Sequence, residues 1–161
     1  MRLLLLRHAD AGDQDPARWP DDTLRPLAPR GRRCQRRAAR WVHRRGLVAT
    51  RLLSSPWVRA WESALIVAEQ GAGPAPVAAP ALAAPPDLAA LERALGPQDR
   101  AAVLHLVGHQ PWLGELAAML LTGTPDGLAI DFPKSGVLGL ELDRVAPGRA
   151  RLEWFWRPRG E

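Results

Sequence analysis

At 161 residues the chain has the size of one domain, long enough to bury a core without covalent staples. Its single cysteine, Cys34, excludes an internal disulfide framework and suits a reducing compartment. The net charge of +5 is carried almost wholly by arginine, since Lys134 is the only lysine. The planar fork of arginine fits an anionic ligand, but composition does not choose between nucleic acid and a smaller phosphate.

The chain opens on a continuous apolar run, Leu3 to Leu6, that stops at Arg7-His8. Such a run reads as a buried strand with chemistry at its carboxyl end. It is too short for a membrane span and has no signal-peptide cleavage pattern, so the cytoplasm is the expected location. Residues 13–29 are polar, contain proline and read as a loop holding Arg25-Pro26-Leu27. A helix is expected from Pro29 to Arg45, with Cys34, Ala38, Trp41 and Val42 at helical spacing, arginines elsewhere and Gly46 as C-cap.

Residues 50–55 read as a second strand. Ser55 is the expected N-cap and Pro56 the first residue of a helix to about Gln70. Residues 71–86 are rich in Pro, Gly and Ala, with room for one short strand near Val77. A modest helix at 87–95 precedes the strongest interior strand, 101–107, which ends at Gly108-His109. Pro111 then starts a helix to Leu121, and strands at 135–142 and 150–156 close the chain. The alternation predicts a single domain over 1–161, a three-layer α/β/α sandwich on a mostly parallel sheet.

In a parallel sheet these strand ends share one edge, where ligands bind. Arg7, His8, Ser54, Ser55, Arg59 and His109 would meet there with two helix N-termini, a setting for phosphate. Arg7 and Arg59 are the candidate phosphoryl clamps, and His8 is the candidate nucleophile. Its ring needs one nitrogen held and the other free, and nearby cations should keep it neutral. His109 would donate to equatorial oxygens or help to position the ring.

Three segments resemble the signatures of the histidine phosphatase superfamily, whose fold is phosphoglycerate-mutase-like. They are Leu6-Arg-His-Ala-Asp10, the stretch from Ser54 to Ser63, and Val107-Gly-His-Gln-Pro111. The usual first motif is Arg-His-Gly, and Ala9 stands in the glycine's place. Arg25-Pro-Leu, the helix near Gly31 and Leu152-Glu-Trp-Phe-Trp extend the match over essentially the whole chain. The short bacterial SixA-type phosphohistidine phosphatases are the branch it most resembles. The resemblance implies a phosphorylated His8, with Arg7, Arg59 and His109 lining the phosphate pocket.

Larger members take an acidic proton donor from an insertion between the second and central strands. Here residues 71–100 offer only Asp87, Glu92 and Asp99, while Asp10, Asp13 and Glu62 lie nearer the motifs. A phosphoramidate needs little acid help, so the expected substrate is a protein phosphohistidine, turned over without cofactor or metal. The alternatives are a small phosphorylated metabolite as substrate, or a non-catalytic phosphate- or nucleic-acid-binding module. The His105/His109 spacing suits zinc only on a helix, and the segment reads as strand. Nucleic acid is disfavoured because a charged helix face is usually solvated and no aromatic stacking platform is expected beside the arginine helix, which leaves an acidic protein as the better partner for that face. The tryptophans read mainly as core, with Trp57, Trp61 and Trp112 as candidates for the pocket rim.

Overall fold

The computed structural model describes residues 1–158. The leucine run forms β1 (Arg2–Arg7), with Leu3 to Leu6 fully buried. Successive strand side chains point to opposite faces, so Leu3 and Leu5 enter one core and Leu4 and Leu6 the other. A strand apolar on both faces belongs inside a sheet. β1 pairs in parallel with β4 (Val103–Gly108) and antiparallel with β5 (Val137–Leu142).

The remaining strands are β2 (Arg51–Ser54), β3 (Val77–Ala78) and β6 (Ala150–Trp156). They complete a six-stranded sheet ordered β3-β2-β4-β1-β5-β6. The first four in that order run parallel, and β5 and β6 are antiparallel additions at one side. One face is covered by α1 (Pro29–Arg44) and α2 (Val58–Glu69), through Ala38, Val42, Ala60, Ala64 and Val67. The other is covered by α3 (Leu88–Leu95) and α4 (Trp112–Thr122), through Leu91, Leu95, Leu113, Leu116 and Leu120. The expected three-layer α/β/α architecture is thus present. No described helix is long and apolar enough to cross a membrane.

Two local expectations are corrected. The buried face of α1 is Gly31, Gln35, Ala38, Ala39 and Val42, while Cys34 is only partly buried. Helix α1 crosses so close to the segment after β1 that a Cβ on Gly31 would lie 2.0 Å from the Asp10 carbonyl oxygen. On the same buried face the Gln35 amide donates to the Ser63 carbonyl at 3.5 Å. Helix α2 begins at Val58 rather than at Pro56, and Trp57 is its N-cap residue without a side-chain cap. Ser55 Oγ accepts the Trp57 N–H, but it also meets His109, so the chain stays extended for one residue more.

Candidate active site

The register decides what meets at the carboxyl edge. Arg7 lies opposite Gly108, and Ser54 lies opposite Val107. The His8 N–H donates to the Gly108 carbonyl at 3.0 Å, and the Ser135 N–H donates to the His8 carbonyl at 3.2 Å. His8 and His109 are both buried, with ring centroids 5.0 Å apart. Trp57 and Trp112 flank His109 at 4.5 and 6.1 Å, which fits the expected rim for those two tryptophans.

The His8 ring has one nitrogen engaged. Nδ1 lies 2.7 Å from the Ala9 carbonyl oxygen, an acceptor only. The ring proton therefore sits on Nδ1, and Nε2 keeps its lone pair. Burial pushes the His8 pKa down to about 3, and the Arg59, Arg7 and Lys134 charges push in the same direction. The Ala9 carbonyl offsets only part of this. His109 is lowered to about 3, by burial first and then by the nearness of His8 and of the Arg59 and Arg7 charges, which Asp22 offsets in part. Both rings are neutral at pH 7.

His109 Nε2 lies 2.8 Å from Ser55 Oγ. That oxygen already accepts the Trp57 N–H, so its own proton is free for Nε2. The His109 ring proton then sits on Nδ1, which is buried with no partner among the described residues.

The arginines are held from behind. One terminal nitrogen of Arg7 donates to the Phe132 carbonyl at 2.5 Å. Arg59 is 5% exposed, donates to the Asp22 carbonyl at 2.8 Å, meets the Asp22 carboxylate at 3.2 Å and lies 4.8 Å from the Trp57 ring centroid. Arg25 grips the other Asp22 oxygen at 2.7 Å and the Ala11 and Gly12 carbonyls at 3.1 and 2.6 Å. It thereby ties the loop carrying Asp22 to the chain leaving β1. Ser63 Oγ accepts the Ala9 N–H at 3.0 Å and donates to the Arg59 carbonyl at 2.7 Å, which couples α2 to the segment carrying His8. Even so, Nε of both Arg7 and Arg59 is buried without a partner, as is Ser135 Oγ. These atoms and His109 Nδ1 belong to groups gathered around His8. Buried donors without acceptors are costly, and here they are what an anion with several oxygens would satisfy.

The sequence model of the histidine phosphatase superfamily (branch 1) matches residues 3–82. An uncharacterised protein of Picosynechococcus sp. is 35% identical over 157 residues, covering 95% of this chain and 89% of that protein. This chain belongs to the histidine phosphatase superfamily. Membership makes it a phosphatase that works through a histidine nucleophile. A structure of the protein histidine phosphatase SixA complexed with tungstate superposes with a TM-score of 0.80 at 25% identity, covering 98% of this chain and 97% of that one. A mycobacterial glucosyl-3-phosphoglycerate phosphatase has the same fold, with a TM-score of 0.67 at 16% identity over 98% and 99% of the two chains.

All four residues singled out for the phosphate pocket, Arg7, His8, Arg59 and His109, fall in this one cluster. Arg59 is the second residue of α2, so it sits at the helix mouth rather than a full turn inside. His105, the other half of the zinc-like spacing, is fully buried in β4 with Nε2 2.9 Å from the Leu47 carbonyl oxygen. Among the described residues no cluster of metal-ligating side chains is found.

Asp22 and Lys134 were not foreseen at the site. Asp22 carries a faint signal, its spacing of three from Arg25 of the Arg-Pro-Leu segment. Lys134 carries none beyond being the only lysine. Glu62 proves to be a tie between elements, accepting the Leu27 N–H at 2.7 Å and Arg32 at 2.5 Å.

Proposed function

We propose that this phosphatase removes phosphoryl groups from phosphohistidine on proteins, through a covalent phosphohistidine on His8. The observation that carries the reading is the set of buried, unpartnered donors on Arg7, Arg59, His109 and Ser135 around a neutral His8. In the first step the His8 Nε2 lone pair forms a bond to phosphorus as the P–N bond to the substrate imidazole breaks. The substrate ring departs with a proton from solvent. In the second step water attacks phosphorus, the bond to Nε2 breaks, and inorganic phosphate leaves. Arg7 and Arg59 hold the equatorial oxygens, and the His109 N–H adds a neutral donor.

The acid question supports the phosphoramidate. An alkoxide leaving group needs a neutral acid beside it, whereas an imidazole leaves with little help. Asp10 is ion-paired with Lys134 and Asp22 with Arg25, and these hydrogen bonds hold both carboxyls below the ordinary carboxylate range. Both are therefore anions at neutral pH. Asp87 is the N-cap of α3, and Asp99 accepts the Ala101 N–H. Glu92 and Asp99 line a cleft with Met1, at the opposite edge of the sheet from His8. The similarity to SixA over nearly all of both chains adds weight. The second reading, a phosphomonoesterase for a small metabolite, rests on Asp131, whose charge reaches Arg7.

Initial rates on a phosphohistidine peptide, an aryl phosphate and a sugar phosphate test the choice. The expected order of kcat/KM is phosphohistidine, then aryl phosphate, with very little turnover of the sugar phosphate. A sugar phosphate or nucleotide hydrolysed more efficiently than phosphohistidine overturns the substrate while leaving His8 in place.

A further inference from the structure

The arginine helix does have aromatic neighbours, although the sequence hides them. Trp41 of α1 packs against Trp154 and Trp156 of β6, with ring centroids 4.9 and 5.5 Å apart. Beside them runs a groove of about 640 Å³, lined by Arg37, Arg40, Arg44, Arg45 and Arg157 with these tryptophans and Phe155. Among the described residues its lining includes no carboxylate. The premise that no aromatic surface adjoins the arginines is therefore corrected: β6, more than a hundred residues later in the chain, supplies one.

From the groove an arginine stripe runs along α1 towards the carboxyl edge of the sheet. Arg30, Arg33, Arg37, Arg40 and Arg44 are all exposed and spaced by three and four, so they share one face of α1. Fourteen steps of helix are about 21 Å. At the upper end Arg30 meets Asp10, two residues from His8. On the other wall Trp156 pairs with Val137, which faces Leu6 near the carboxyl end of β1. A chain lying along this stripe leads to the mouth of the phosphate pocket.

The aromatic faces argue against nucleic acid as the occupant. Arg45 already covers Trp41 at 4.1 Å, and the Trp154 indole lies so close over Gly139 that a Cβ there would be 2.3 Å away. Rings engaged within the fold are poor platforms for stacked bases, but they brace guanidinium groups well. Arg45 and Arg157 are braced in this way, and the exposed arginine forks of the stripe match carboxylates. We propose that this groove docks an acidic, extended segment of the same protein whose phosphohistidine is presented to His8. The proposal rests on the substrate reading given above.

The test uses synthetic peptides carrying phosphohistidine, a ten-residue Gly/Ser linker, and either an Asp/Glu octamer or a serine octamer. The linker reaches up to about 33 Å, enough to cover the stripe. The acidic peptide should show a KM about tenfold below the serine peptide, the scale of several exposed ion pairs together, and the gap should close in high salt. Arg37→Glu/Arg40→Glu/Arg44→Glu should erase the gap, with turnover of phosphoramidate unchanged. The milder Arg37→Gln/Arg40→Gln/Arg44→Gln should narrow it and guards against damage from charge reversal.

The acidic octamer alone, without phosphohistidine, should quench the wild-type tryptophan fluorescence but not that of the triple-glutamate variant. Equal KM values for the two peptides, with no quenching by the octamer, would overturn the docking groove. So would a thymidine oligonucleotide that binds more tightly than the octamer and is lost in the same variant. Octamer binding without turnover of either peptide would overturn the phosphohistidine substrate and leave the groove standing.

Discussion

Two regions of this protein are built around arginine, and they use it in opposite ways. At the carboxyl edge of the sheet Arg59 is almost wholly buried, and desolvation lowers the pKa of both Arg7 and Arg59. Each is fixed from behind by a carbonyl or carboxylate, with Nε left unpartnered. Along α1 the arginines at 30, 33, 37, 40 and 44 are exposed, and beside them Arg45 lies over the Trp41 ring and Arg157 over the Phe155 ring. A buried, oriented cation interacts strongly with one anion, whereas an exposed, screened cation adds a small increment to a broad attraction. The count of positive charges is therefore a poor guide to function here. Burial and fixation separate the proposed phosphoryl clamp from the proposed docking stripe.

The sharpest way to break the comparison is at the nucleophile. His8→Ala should lose nearly all turnover, more than about a thousandfold, because no second group offers a free lone pair at that point. Brief exposure of the wild type to radiolabelled phosphohistidine peptide should leave acid-labile, alkali-stable phosphate on His8. Undiminished activity in the variant would end the covalent route.

Next in size are the buried arginines. Arg7→Ala and Arg59→Ala should each lower kcat/KM by about two to three decades, the scale of a lost transition-state donor. Arg59→Lys should recover little, since a point charge cannot bridge Asp22 and a phosphoryl oxygen together. If either alanine variant kept wild-type kinetics, that arginine would belong with the exposed class.

Burial should also show itself through protons. With pKa values held near 3, the His8 and His109 imidazoles should remain neutral by NMR from pH 8 down to pH 5. A titration midpoint near 6.5 for either would remove the basis for a neutral nucleophile. His105 is a cleaner probe of stability because it lies outside the pocket, with its pKa lowered to about 4, mainly by burial. Its folded value lies below the unfolded one, so the unfolded chain binds more protons under mild acid. The contribution is complete above about pH 6.5 and is lost as pH falls towards 4, about 3 kcal/mol in all. His105→Gln should flatten the fall of Tm between pH 6.5 and 4; an unchanged slope would show that this ring is not the group responsible.

The smallest expected effect is none. EDTA should leave kcat and KM where they were, because a lone pair on His8 that a metal occupied could not attack phosphorus. Activity lost to the chelator and restored by a divalent ion would contradict this.

The local content of the sequence set much of this protein. Four consecutive leucines suit a strand buried on both faces, and the polar stop at Arg7-His8 marks its carboxyl end. Pro29 and Gly46 bracket α1, and the alternation of strands and helices dictates a layered sheet with strand ends on one edge. Short-range patterns carry these features, because period, capping and proline geometry act within a few residues. Pairings distant in sequence were decided by tertiary structure. Asp22 reached Arg59 because Arg25 pinned its loop to the Ala11 and Gly12 carbonyls. Lys134 reached Asp10 because the segment before β5 returns beside β1. The tryptophans of β6 came beside α1 only when an antiparallel strand closed the sheet next to that helix. No local rule encodes such meetings. They follow from packing two apolar faces at once, which brings together side chains far apart along the chain.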